Sequence, residues 1–285
     1  MALEYPLIHI DDVKPENMQA DAGWSISEFR LPITGACGSS TTVFHARFQP
    51  GSTHKKHLHS RSDEIAVYLS GHGVVGQNDE RDEVSAGHCR LIPKGAPHFF
   101  HNETRDSVAE CIGFYIGARD VADSGYEYCG EVTEDDLRMP RNGFSSGVHV
   151  NVKDVPPETM NTDEGWSISE FRLPISKRNG SSTTLFHAIF RPGAVHRKHR
   201  HDSCEEIYYV VSGHGLAGAG PDRVEVRGGH FHYIPKGVEH WMHNLSPTEP
   251  LIGFGIYIGA GSVEDTGYVY MGDVTAEDVA APRTA

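Results

Sequence analysis

His57 and His59 stand two residues apart, Glu64 follows shortly after them, and His98 comes later in the same half of the chain. On a strand, whose side chains alternate with a period of two, His57 and His59 project from one face. Glu64 opens what reads as the next strand. His98 follows the turn Pro93-Lys94-Gly95, which could fold a third strand back across the first two. Three imidazoles and one carboxylate converging inside a barrel make a nitrogen/oxygen site for a divalent transition metal. The set recurs as His199, His201, Glu206 and His240, each 142 residues further on. A four-ligand centre leaves one or two positions open on a five- or six-coordinate ion. Those positions admit water, oxygen, or the enolate or carboxylate of a substrate, with the ion as Lewis acid and template. The glutamate can ligate, or detach and carry a proton.

The elements that must position these residues are themselves duplicated. The undecapeptide from Gly23 to Ile33 returns unchanged from Gly165 to Ile175, and of the 19 histidines only His9, His149 and His232 lack a partner at the 142-residue offset. A period this long marks a duplicated domain, not a solenoid unit of roughly 20–50 residues. Within each copy, strand-like runs such as Ser39 to Phe48, Glu64 to Leu69 and Cys89 to Ile92 are punctuated by Gly and Pro turns, and helical signals are few. Such a pattern means a sandwich or barrel. One short helix per copy is expected after the capping residues Thr133 and Thr275. The polar, Gly-containing stretch Arg141 to Gly147 reads as the linker, dividing the 285 residues into domains 1–142 and 143–285.

The formal charge of −14 and a pI near 5.7 argue against a nucleic-acid or anionic-membrane partner, since phosphate binding needs clustered Lys and Arg. Five cysteines form no CxxC pair, and none recurs at the offset. Free thiols in a reducing compartment are therefore expected. The N-terminal residues lack the basic region and apolar run of a signal peptide, and the expected localisation is cytoplasmic.

Gly51, His57, His59, Glu64 and Gly71 match the first motif of the cupins, and Gly87, Pro93, Gly95, His98 and Asn102 match the second. Both motifs are complete again in Gly193, His199, His201, Glu206 and Gly213, and in Gly229, Pro235, Gly237, His240 and Asn244. The chain thus resembles a bicupin over nearly its whole length. The resemblance implies an all-β protein of two tandem double-stranded β-helix (jelly-roll) barrels, with the three histidines and the glutamate of each as metal ligands. Glu206 is preferred to its neighbour Glu205 because its spacing to the turn glycine equals that of Glu64. Terminal strands are expected to exchange between copies of such folds, which makes the boundary at residue 142 approximate.

The copies differ where their pockets should differ. Ala66 and Tyr68 share the face of Glu64, whereas Tyr208 and Val210 stand at the corresponding places; Phe100 is replaced by Met242 and Arg90 by His232. Tyr68 or Tyr208 is expected to present a hydroxyl to substrate, joining Glu64 and Glu206 as catalytic candidates. The reading favoured from sequence is a dioxygenase cleaving a small organic molecule, with one divalent transition metal per domain. Iron(II) is favoured, with manganese, nickel, zinc and copper compatible with the same donors. The alternatives are a redox-neutral isomerase, lyase or decarboxylase of a keto or carboxylate compound, and a noncatalytic binding protein. Apolar strand residues Ile65, Val67 and Leu69 offer a face for packing between the copies or between the subunits of a homodimer.

Overall fold

In the computed structural model, residues 5–17, 25–160 and 165–284 are described; residues 1–4, which begin the segment read for a leader, lie outside them. The chain forms two compact units, one of residues 13–154 and the other of residues 1–12 with 155–285.

The first strand of the chain, β1 (Leu7–His9), belongs to the second of these units. The unit of residues 13–154 contains β2 (Glu28–Ile33), β3 (Thr42–Phe48), β4 (Thr53–His59), β5 (Glu64–Ser70), β6 (His72–Gln77) and β7 (Glu80–Ser85). It continues with β8 (His88–Ile92), β9 (His98–His101), β10 (Ala109–Tyr115), β11 (Tyr126–Gly130) and β12 (Val148–Asn151). These strands build a six-stranded sheet of order β12-β8-β5-β10-β3-β2 and a five-stranded sheet of order β11-β4-β9-β6-β7. Every pairing between them is antiparallel.

The other unit repeats the plan. Its strands are β13 (Trp166–Ser167), β14 (Glu170–Ile175), β15 (Thr184–Phe190), β16 (Val195–His201), β17 (Glu205–Ser212) and β18 (His214–Ala219). β19 (Asp222–Arg227), β20 (His230–Ile234), β21 (His240–His243), β22 (Leu251–Ile258) and β23 (Tyr268–Gly272) complete it. One sheet runs β1-β20-β17-β22-β15-β14, and the other runs β13-β16-β21-β18-β19 with β23 on β16. The architecture is two all-β jelly rolls, each with one short capped α-helix among the described residues. In α1 (Glu134–Arg138) the Thr133 hydroxyl accepts from the Asp136 amide at 3.2 Å, and Thr275 does the same for α2 (Ala276–Ala280).

The expected strand exchange is present in this topology. β12 closes the edge of the first copy's sheet beside β8, and β1 closes the second copy's sheet beside β20. The compact units accordingly change over after Asp154, and the stretch read as a linker packs into the first barrel. There Arg141 pairs with Glu83 and Glu103, and the Phe144 ring lies 4.6 Å from the Arg90 guanidinium.

Inward-facing apolar residues form the cores. Phe29, Phe44, Phe48, Phe100 and Tyr115 pack together in one barrel, and Trp166, Phe171, Phe186, Phe190 and Tyr257 in the other. Two features of the motif hold the site-bearing strands in place. Gly71 has φ +79° and a Cβ there would lie 2.5 Å from the Ala109 backbone, so only glycine fits the turn. Asn102 donates to the carbonyls of Phe48 and Ser107 at 2.9 and 2.8 Å, fastening the end of β9 to its neighbours, as Asn244 does with Phe190 and Glu249. Ile65 and Val67 are wholly buried within the chain, so they are not a free surface for a second subunit. All five cysteines are free.

Candidate metal centres

His57 on β4 lies directly opposite His98 on β9, and His59 ends β4 on the same face. Glu64 opens β5 in the facing sheet, so the cluster is drawn from both layers of the barrel. The turn before His98 is tied to the end of β4 by the Gly95 amide, which donates to the His59 carbonyl at 2.8 Å; Gly237 does the same to His201. One donor atom from each of His57, His59, Glu64 and His98 falls within 4.8 Å of all the others, and the same holds for His199, His201, Glu206 and His240. All eight residues are buried. Glu64 Oε2 lies 3.1 Å from His59 Nε2 and 3.2 Å from His98 Nε2; in the second barrel Glu206 Oε2 lies 3.1 Å from His201 Nε2 and 3.0 Å from His240 Nε2. Glu205, the competing carboxylate, sits outside both clusters.

The donor chemistry fits a divalent ion. Buried ring nitrogens normally find a hydrogen bond, yet Nε2 of His57 and of His199 has none among the described residues. Their Nδ1 atoms face the carbonyls of Lys55 and Arg197 at 2.7 Å, and those of His98 and His240 face Ala96 and Val238 at 2.9 Å. A backbone carbonyl can only accept, so each Nδ1 carries the proton and each Nε2 turns a lone pair into the cluster. Burial, reinforced by neighbouring imidazoles, drives His57 and His199 well below the usual histidine range and keeps them neutral. Burial opposes the charge on Glu64, but its attraction to the His98 and His59 rings outweighs it, so the carboxylate stays ionised. Glu206 behaves alike.

Sequence reasoning undervalued His54 and His196. On an unbroken strand, His54 would point away from His57. A register shift in β4 between His54 and His57 turns it inward, where its ring stacks on that of His57 with centroids 3.8 Å apart. The same irregularity brings His196 to 3.9 Å from His199. The His101 ring binds the Thr53 hydroxyl at 2.7 Å and lies outside the cluster. His72, which opens β6, pairs with Glu83 and Glu103. That third group of possible ligands is already neutralised by Arg141, which bonds both carboxylates, and it reads as an ion-pair network.

Each cluster opens on a small cavity. In the first barrel it measures about 30 Å³, and its walls include Glu64, Ala66, Tyr68, Arg90, Phe100 and His54. In the second it measures about 50 Å³ and is lined by Glu206, Tyr208, Met242, His196, Phe254 and Tyr257 among others. Both tyrosines expected to face substrate thus reach the cavities, and burial raises both phenols far above their usual range, so they stay protonated. Arg90 is 1% exposed, and its Nη2 donates to Gln77 Oε1 at 3.3 Å. No carboxylate lies within ion-pair distance of it among the described residues. The second barrel has His232 in its place, with Nδ1 2.9 Å from the Tyr208 hydroxyl. Burial lowers His232 to about 3, so this position is uncharged.

The chain belongs to the cupins: the cupin domain family matches residues 44–114 and 186–257, together half of the chain. Among curated proteins it is similar to oxalate oxidase GF-2.8 of Triticum aestivum, 29% identical over 112 residues that cover 35% of this chain and 49% of that protein. Oxalate oxidase 2 of Hordeum vulgare matches with the same identity and coverage. The chain spans about half the length of these relatives. Among solved structures it resembles the formate complex of Lactobacillus farciminis oxalate decarboxylase, with a TM-score of 0.73 at 14% identity, covering 95% of this chain and 90% of that one. A Bacillus subtilis oxalate decarboxylase studied for its Mn(II) centres gives a TM-score of 0.71 at 14% identity, covering 95% and 80%. At this identity the likeness is one of fold, and it extends over both barrels.

Proposed function

We propose that the protein is a metal-dependent enzyme acting on a small carboxylate, with redox-neutral decarboxylase or lyase chemistry ahead of the dioxygenase reading favoured from sequence. The observation that carries this is Arg90, a guanidinium buried beside the metal cluster with no acidic partner among the described residues. Burying a charge without a counter-ion costs several kcal/mol, and an anionic substrate entering the cavity supplies the missing charge. Arginine is suited to hold a carboxylate by two parallel hydrogen bonds. The cavities are small enough to favour an acid of a few carbon atoms over a polycyclic compound.

In this reading His57, His59, Glu64 and His98 hold one divalent ion, and His199, His201, Glu206 and His240 hold another. A bound ion supplies Lewis acidity toward a substrate oxygen and an open position for it. Arg90 binds and orients the substrate carboxylate. Tyr68, protonated, offers its hydroxyl to the same anion, and Glu64, if it detaches from the ion, would take up or return a proton at the reacting carbon. Manganese suits these oxygen and imidazole donors as well as iron, and the fold neighbour with Mn(II) centres makes it the first metal to test.

Oxalate is the natural first substrate, because the curated relatives bear the name oxalate oxidase and the fold neighbours oxalate decarboxylase. The two outcomes differ in stoichiometry. Decarboxylation converts hydrogen oxalate into formate and carbon dioxide without oxygen; oxidation of oxalic acid consumes one dioxygen and yields two carbon dioxide and hydrogen peroxide. The Mn(II)-loaded and Fe(II)-loaded protein is incubated with oxalate and with a panel of small keto and hydroxy acids, while formate, peroxide and oxygen are followed. Anaerobic turnover is expected. Turnover that requires oxygen restores the oxygen-dependent reading, and absence of turnover with every acid overturns the proposal.

A further inference from the structure

The two centres differ in one supporting contact. His59 Nδ1 lies 2.7 Å from the Ser124 hydroxyl, which donates onward to the Val121 carbonyl at 2.6 Å. That hydroxyl has spent its proton on the carbonyl, so it accepts from His59, and the proton is fixed on Nδ1 with the Nε2 lone pair turned toward the cluster. At the matching place in the second barrel stands Thr266, wholly buried. Its hydroxyl keeps the equivalent bond, to the Val263 carbonyl at 2.7 Å. Yet His201 Nδ1 is buried with no hydrogen-bond partner among the described residues. The remaining ligand contacts agree between the barrels to within about 0.2 Å. The difference is confined to one ligand of each set.

We infer that Ser124 and Thr266 set unequal metal affinities, so that the centre of His57, His59, Glu64 and His98 fills before its counterpart. A histidine whose second nitrogen is anchored presents its ligating nitrogen in one tautomer and one orientation. Losing such an anchor typically costs 10–100-fold in metal affinity. His201 must select its tautomer and ring angle when the ion arrives, and it must bury an unsatisfied N–H besides. Ser124 and Thr266 touch neither ion nor substrate; they are positioning residues. At metal concentrations between the two affinities the chain carries a single ion, in the barrel that also holds Arg90. This inference rests on the metal-binding part of the proposed function and is independent of which substrate is turned over.

The test is an Mn(II) titration of the full-length, chelator-stripped protein, with free Mn(II) read by electron paramagnetic resonance. Two steps separated by roughly 10–100-fold are expected, with His98→Ala abolishing the tighter step and His240→Ala the weaker. Ser124→Ala should weaken the tight step by a similar factor, and Ser124→Thr should make it resemble the weak one. Thr266→Ser should tighten the weak step, a gain of affinity that misfolding cannot produce. Two equal steps, or steps that ignore both Ser124→Thr and Thr266→Ser, overturn the inference while leaving the metal centres standing. Failure to bind Mn(II) at all overturns both the inference and the metal reading on which it rests.

Discussion

Replacing Arg90 by methionine separates a substrate-binding role from a structural one. The side chain contributes a 4.6 Å stacking contact with Phe144 and a 3.3 Å bond to Gln77. Against these stands the cost of a buried guanidinium without a carboxylate partner. Exchanging buried charge for a well-packed apolar chain of similar volume is often neutral or stabilising by about 1–4 kcal/mol. In the absence of anions, Arg90→Met should therefore unfold at or above the temperature of the parent protein. With a small carboxylate present the order should reverse. At a hundred times its Kd, a ligand that binds only the folded state stabilises it by about 2.7 kcal/mol, an increment available to the parent and largely lost to the variant. A hydrogen bond to a charged group contributes about 1.5–3 kcal/mol, so kcat/KM toward the accepted acid should fall roughly 10- to 150-fold. Thermal unfolding with and without oxalate or formate, alongside steady-state kinetics, gives all three numbers. If Arg90→Met is destabilised without ligand yet keeps the anion-dependent shift, Arg90 is a structural residue and the carboxylate reasoning is wrong.

Other perturbations address the remaining contacts. Tyr68→Phe should lower kcat/KM by about tenfold through loss of one hydrogen bond to the substrate, whereas Tyr208→Phe should lower stability by about 1–3 kcal/mol because it strands the His232 nitrogen; unchanged kinetics in both variants would reject the polar role of these hydroxyls. Burial holds His187 at about 4 and His232 at about 3, while an unfolded histidine titrates near 6.5. The unfolded chain thus binds more protons between those values, so stability is greatest above pH 6.5 and falls on acidification by up to about 1.4 kcal/mol per pH unit for each group. Chemical denaturation at pH 7 and pH 5 measures the slope, and His187→Phe should make it shallower. Gly113→Ala would set a Cβ 2.1 Å from the Phe44 ring, which packs on Tyr115 and so borders His59. It should cost at least about 1–3 kcal/mol by overpacking and weaken metal retention, as read by dialysis and elemental analysis.

The ligand sets were legible because they depend on strand alternation and turn spacing, both local. His57 and His59 share a face by period alone, and Glu206 is told from Glu205 by its spacing to Gly213, which equals that of Glu64 to Gly71. The inward turn of His54 and His196 was hidden, since a register shift reverses the parity on which such reasoning relies. Arg90 was legible as a possibility and no more. The sequence left its direction open, and its lack of a counter-ion among the described residues depends on where every acidic side chain of the barrel ends up. The departure of the linker from expectation has a similar cause: Arg141 and Phe144 look like solvated punctuation until Glu83, Glu103 and Arg90 are assembled beside them. The unmatched supports Ser124 and Thr266 left no trace in motif spacing, because both residues carry a hydroxyl.

The place of β1 alters what the beginning of this polypeptide means. Leu7 to His9 precede the whole first barrel in sequence yet lie in register with His230 to His232, so their hydrogen bonds wait until β20 has been synthesised. Trimming the first dozen residues would uncover the backbone of β20 in the second jelly roll and offer it as a template for adhesion to other molecules. A bulky N-terminal fusion carries the same hazard, and its symptoms would surface around His240 and not in the first barrel, which Val148 to Asn151 seal.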